Sequence, residues 1–203
     1  MSLLYFPAQT SDDSGGGQLV LIKKQTASSS SSITFTDGTS DVVFDSTYKT
    51  YMFAFESIES DTASTVNGYL QIQASTDNTN YNLQLTNASN RPYAYASGVG
   101  NNEFLGAHTT SFLTFGDITP TFGLCSGQLF FYDPAQTTHY KQTDYKMFAY
   151  GDSTAPHLMG VYRGGISWET TSAITSVQFQ MSSGTLESGS ITLYGLKTTW
   201  EPS

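Results

Sequence analysis

The stretch YKTYMFAFESIES, residues 48 to 60, constrains the whole chain. Tyr51, Phe53 and Phe55 fall on alternate positions, with Met52, Ala54 and Glu56 between them. Successive side chains of an extended strand point to opposite faces, so this spacing buries one face of a sheet. A helix, with about 3.6 residues per turn, would scatter the same residues around its axis. GYLQIQAST, residues 68 to 76, repeats the pattern, with Leu70, Ile72 and Ala74 predicted inward and Tyr69, Gln71 and Gln73 outward.

Other short runs fit the same period: QLVLIKKQ (18 to 25), SITFT (32 to 36), DVVFD (41 to 45), SFLTFG (111 to 116), GQLFFYD (127 to 133) and YKMFAYG (145 to 151). LMGVYRGGISW (158 to 168), ITSVQFQMSS (174 to 183) and GSITLYGLK (189 to 197) follow. Asp37-Gly38 marks a turn, and SSGTLESG turns the chain near the end, with Gly184 and Gly189 able to take positive φ. Val177, Phe179 and Met181 are expected on one face of the penultimate strand, with Ile191, Leu193 and Leu196 supplying core from the last. Residues 68 to 86 read as a β-hairpin with the polar tip STDNTN.

About ten short strands with frequent turn signals, and no stretch of sustained helical spacing, predict an all-β, antiparallel sandwich or barrel whose first and last strands lie side by side. Residues 1 to 18 read as a short extended N-terminal arm and glycine-rich linker, and residues 19 to 203 as one β-sandwich domain. Its middle, about 87 to 157, is expected to be loop-rich.

Charge narrows the function classes. Asp, Glu, Lys and Arg make up only 12% of the chain and its net charge is -9, which repels a phosphate backbone, so no nucleic-acid partner is expected. Apolar runs are far short of a bilayer span, and MSLLYFPAQ has no charged leader region, so neither a membrane partner nor a signal peptide is expected. Cys125, the single cysteine, can form no internal disulfide and reads as a small buried residue at a strand start.

Chemistry-bearing residues do not converge. His108, His139 and His157 are widely spaced, and the carboxylates Glu56, Glu59, Asp61, Glu103 and Asp117 share no motif. STDNTN around Asp77 lacks the terminal glutamate of a calcium loop. Asn87-Ala88-Ser89 matches a glycosylation sequon by chance, and Arg163 beside two glycines near Trp168 reads as a bulge with a core tryptophan. No catalytic, metal or cofactor site is expected, and the chain is read as a non-enzyme. Tyrosines crowd the middle instead, and Tyr93, Tyr95, Tyr140 and Tyr145 are the candidate ligand or contact surface.

LVLIKKQTASSSSSITFTDG and YKTYMFAFESIES, together with the closing SSGTLESGSITLYGLK, resemble a β domain of tailed-bacteriophage virion proteins. The matching segments are Leu19 to Glu59 and Ile174 to Lys197, about a third of the chain. The resemblance implies a jelly-roll-like sandwich in a capsid decoration protein, head fibre or tail fibre, commonly a homotrimer, with no catalytic residues. It leads to the expectation of a virion component, assembled in the host cytoplasm and bound to other virion proteins. Leu3, Leu4, Tyr5 and Phe6 are the candidate docking arm and Trp200 a candidate intersubunit contact. The alternative is a carbohydrate-binding, receptor-recognising module of a phage tail that meets a host surface glycan.

Overall fold

The computed structural model describes residues 18–61, 68–95, 97–118, 123–150 and 158–197, and among these all regular structure is strand. In chain order the strands are β1 (Gln18–Thr26), β2 (Ser32–Thr36), β3 (Thr50–Ser60), β4 (Gly68–Ser75), β5 (Leu85–Tyr95) and β6 (Gly100–Thr109). They continue with β7 (Leu113–Ile118), β8 (Leu124–Tyr132), β9 (Lys141–Tyr150), β10 (Leu158–Trp168), β11 (Ser176–Met181) and β12 (Leu186–Lys197).

These strands form two antiparallel sheets, ordered β1-β12-β3-β8-β9-β10-β5-β6 and β2-β11-β4-β7. Within them, β1-β12-β3-β8 faces β2-β11-β4-β7, the double Greek-key order of a jelly roll. Two hairpins are inserted into this eight-stranded frame, β5-β6 between β4 and β7 and β9-β10 between β8 and β11. They meet through the β10-β5 pairing, from Leu158↔Tyr95 to Trp168↔Leu85, and so widen the first sheet alone.

The alternation read from the sequence places the core. Tyr51, Phe53 and Phe55 of β3, Leu70, Ile72 and Ala74 of β4, and Val177, Phe179 and Met181 of β11 are all buried, as is Cys125. Phe179 lies 5.1 Å from both Phe53 and Phe55, and 6.3 Å from both Phe35 and Phe115, mostly edge to face. Its partners come from both sheets, and rings at these distances and angles attract one another beyond the area they bury. Ile191 and Leu193 are buried as expected, but Leu196 falls in register with Thr50 on the opposite face and is half-buried.

Gly189 takes φ +95 where β12 passes β3, and a Cβ there would come within 2.3 Å of the Ser57 carbonyl oxygen, so only glycine fits this irregular crossing. Gly184 takes φ +75 in the preceding turn.

Three readings need correction. Residues 68 to 86 are no hairpin: β4 pairs with β11 and β7, whereas β5 pairs with β10 and β6, so STDNTN carries the chain from one sheet to the other. DVVFD is not a strand, although Val42 and Phe44 are buried. It is held as a loop by the Phe44 amide donating to the Asp37 carboxylate at 2.8 Å. The middle is not loop-rich where it is described, because strands of 9 to 11 residues occupy β5, β6, β8 and β9.

Replacing Phe179 with Ala should cost about 3–5 kcal/mol of unfolding free energy in a denaturant titration, because no neighbour can fill a gap bounded by two sheets. A loss below about 1 kcal/mol would mean that the ring cluster does not hold the sheets together.

Candidate functional site: a ledge and an apolar face on the widened sheet

The widened sheet has two surfaces. On the side that continues the core, β5, β6 and β10 run past the last strand of the smaller sheet and form a ledge. Every second residue of β5 points there: Leu85, Asn87, Ser89, Arg91 and Tyr93. Leu85 and Asn87 are buried, while Tyr93 is only half-covered.

Arg91 organises the ledge. Its guanidinium donates to the Tyr162 hydroxyl at 2.7 Å and to the Glu103 carboxylate at 2.5 Å, and sits 5.1 Å from the Tyr93 ring centre. Tyr93 and Tyr95 pack edge to face at 5.5 Å, and the Asn101 amide donates to the Tyr93 hydroxyl at 3.3 Å. The result is a pair of rings fixed by a charged group with its own counter-ion, a surface of aromatic faces and polar rims.

The four candidate tyrosines do not form one surface. Tyr93 and Tyr95 are in contact, but Tyr140 is 54% exposed just before β9, at the far end of the sheet from them. Tyr145 is buried, 3% exposed, so it presents no surface. It lies on the face of β9 turned to the smaller sheet, 5.7 Å from Phe115, with its hydroxyl accepting from Asn87. Burial raises its pKa. The Asn87 amide also donates to the Gly165 carbonyl at 3.0 Å, which places the sequon asparagine inside the sheet.

Gln73, read as an outward residue, is the feature that sequence reasoning missed. It points away from the core, but the roots of the inserted hairpin cross over it and bury it completely. Its amide donates to the carbonyls of Leu83, before β5, and of Thr110 and Ser111, after β6, at 3.1–3.3 Å. Its own carbonyl accepts from the Ala74 amide at 2.9 Å. One side chain thereby fixes both ends of the β5-β6 hairpin on the jelly roll. Gln71, two residues earlier on the same face, has no such role, and nothing in the sequence separates the two.

The opposite surface of the large sheet carries two separate exposed apolar groups, Leu19 and Leu21 of β1 with Tyr132 of β8 toward one end of the strands, and Leu124 of β8, Phe148 of β9 and Met159 of β10 toward the other. In the ladder, Leu19 stands beside Leu196, and Leu21 beside Tyr194 and Met52. Leu19, Leu21 and Tyr132 lie across the neighbouring strands β1, β12, β3 and β8, and a grouped apolar surface of this kind marks a contact site. Arg163 faces this side, donating to Asn90 at 2.7 Å, whereas Trp168 is buried on the other; β10 keeps unbroken register with β9, so the expected bulge is absent.

The chemistry-bearing residues are engaged separately. Asp77 accepts from the backbone amides of Asn80 and Thr79 and from the side chains of Asn80 and Ser75. These bonds hold its carboxyl well below the usual carboxylate range and tie STDNTN into a turn. Glu56 pairs with Lys24 at 2.9 Å and Glu59 accepts from Ser188. His108 lies on β6, 3.3 Å from Glu169. Among the described residues no group of three or more His, Cys, Asp or Glu is placed to hold a metal ion. His157, the arm residues Leu3, Leu4, Tyr5 and Phe6, and Trp200 lie outside the described residues.

Gln73→Ala should lose about 1–3 kcal/mol of stability, because a fully buried side chain that joins the carbonyls before β5 and after β6 is removed, while Gln71→Ala should change stability by less than about 0.5 kcal/mol. Equal losses in thermal or denaturant unfolding would remove the special role assigned to Gln73.

Compared with known families, curated proteins and solved structures, the chain matches no family model, no curated protein and no solved structure.

Proposed function

We propose that the chain is a non-enzymatic structural component of a tailed-phage virion, a capsid decoration or cement protein or a fibre-type module, attached through its N-terminal arm. One observation carries this reading. The two segments that resemble phage virion domains, Leu19 to Glu59 and Ile174 to Lys197, are far apart in sequence yet supply β1, β2, β3, β11 and β12. In space these become the adjacent strands β1-β12-β3 of one sheet and the pair β2-β11 of the other. The resemblance therefore covers one contiguous half of the jelly roll rather than two unrelated fragments.

The apolar strip of Leu19, Leu21 and Tyr132 gives this module a surface that association would cover. A closed homotrimer, with Trp200 at an intersubunit contact, is the assembly the reading favours. Leu3, Leu4, Tyr5 and Phe6 are the residues that would dock onto capsid or tail proteins.

The test is attachment. Particles assembled in the host with the full chain should carry it through density-gradient purification, and a chain lacking residues 1 to 17 should fold with unchanged circular dichroism yet leave the particle fraction. Finding the full chain only among free lysate proteins would overturn the proposal.

A second reading, a glycan-binding receptor module, is favoured by the Tyr93-Tyr95 pair, whose rings are held at 5.5 Å by a neighbouring charged group. Rings of this kind stack on sugar faces while polar rims bond to hydroxyls. On this reading the folded protein binds host-surface glycans on an array and Tyr95→Ala weakens binding at least about tenfold, roughly 1.4 kcal/mol. Absence of any signal from folded protein would reject it.

A further inference from the structure

Among the described residues the two sheets have four edges: β1 and β6 in the larger, β2 and β7 in the smaller. A free edge presents unpaired N–H and C=O groups to any other strand, and β proteins protect such edges with short strands, lysines, prolines or bulges. Three of the four edges are protected in this way. β2 has 5 residues, β7 has 6 and a register shift against β4, and β1 carries Lys23 and Lys24 with a shift beside Ile22.

β6 has none of these devices. It runs for 10 residues in unbroken register with β5 and contains neither lysine nor proline. Its one carboxylate, Glu103, is neutralised by Arg91 at 2.5 Å. Phe104 is 82% exposed in the middle of the strand, with Leu105 and Val99 exposed nearby.

We propose that β6 pairs antiparallel with β6 of a second copy of this chain, about a two-fold axis at Phe104. The turn between β5 and β6 fixes which groups are available. The Tyr95 amide donates to the Val99 carbonyl at 2.8 Å, and bonded pairs alternate along an antiparallel ladder. Asn101, Glu103, Leu105 and Ala107 therefore bond back to β5, while Gly100, Asn102, Phe104, Gly106 and His108 turn N–H and C=O to the free edge. Pro92 obeys the same parity: it stands opposite Asn102, a position that needs no N–H toward β6.

Two-fold pairing can join only the outward set. An axis at Glu103 would set two carboxylates face to face, which is unfavourable. An axis at Phe104 sets ring against ring, places Asn102 opposite Gly106 and Gly100 opposite His108, and brings no like charges together. This self-complementarity favours a second copy over a foreign strand. Because a two-fold contact cannot close a trimer, copies assembled through another face would be linked by this edge to a neighbouring assembly.

Sedimentation equilibrium and amide hydrogen exchange on the full chain test the proposal. The expected result is concentration-dependent association in which the amides of Gly100, Asn102, Phe104, Gly106 and His108 become protected together. Phe104→Glu and Asn102→Pro should each weaken that association at least about tenfold while leaving the circular dichroism spectrum unchanged. Tyr140→Ala, at an exposed aromatic elsewhere, should have no effect. A chain that stays monomeric at high concentration, or that associates while those five amides exchange freely, would overturn the proposal. Exchange on the unmutated chain decides the matter even if either variant fails to fold, and neither outcome depends on whether the protein belongs to a virion.

Discussion

The packing of Phe179 against Phe35, Phe53, Phe55 and Phe115 is the contact on which the rest of the architecture depends. These rings come from β11, β2, β3 and β7, so the cluster joins strands remote in sequence and drawn from both sheets. With one cysteine and few charged residues, the fold has neither a covalent staple nor an extensive ion-pair network to replace this burial. Apolar area removed from water by facing sheets is the main stabilising term, and edge-to-face geometry makes the arrangement specific.

From that centre the molecule grows outward in one direction. The jelly-roll frame is closed by its own first and last strands, and the inserted hairpins join each other through β10 and β5. Gln73 fixes the root of one hairpin, and the buried Asn87-Tyr145 contact ties it to the other. The widened sheet then offers a ledge with a fixed tyrosine pair, an apolar outer strip and one long unprotected edge. All three are surfaces suited to contact with other molecules.

Much of the frame was legible in the sequence because it is local. Period-two spacing around Phe53, Ile72 and Phe179 gave strand positions and core faces, and Gly184, in a turn, and Gly189, within β12, both take positive φ. What was not legible depends on non-local pairing. STDNTN has the composition of a hairpin tip, but its flanking strands pair elsewhere. Tyr145 and Tyr140 have the same side chain a few residues apart, and only the position of the smaller sheet decides that one is buried and the other exposed. Gln73 differs from Gln71 solely in what crosses above it. The first and last strands, read from the sequence as lying side by side, pair as β1 and β12, a contact that no local pattern in either strand specifies.

The account's central claim is that this jelly roll serves as a building piece of a phage particle, and electron cryomicroscopy of intact particles from a host expressing the chain tests it most directly. The account predicts density on the particle surface that fits the two sheets of the described residues, with the Leu19, Leu21 and Tyr132 strip covered by a neighbouring subunit. Particles of full infectivity with no such density, and the protein present only free in the lysate, would contradict it.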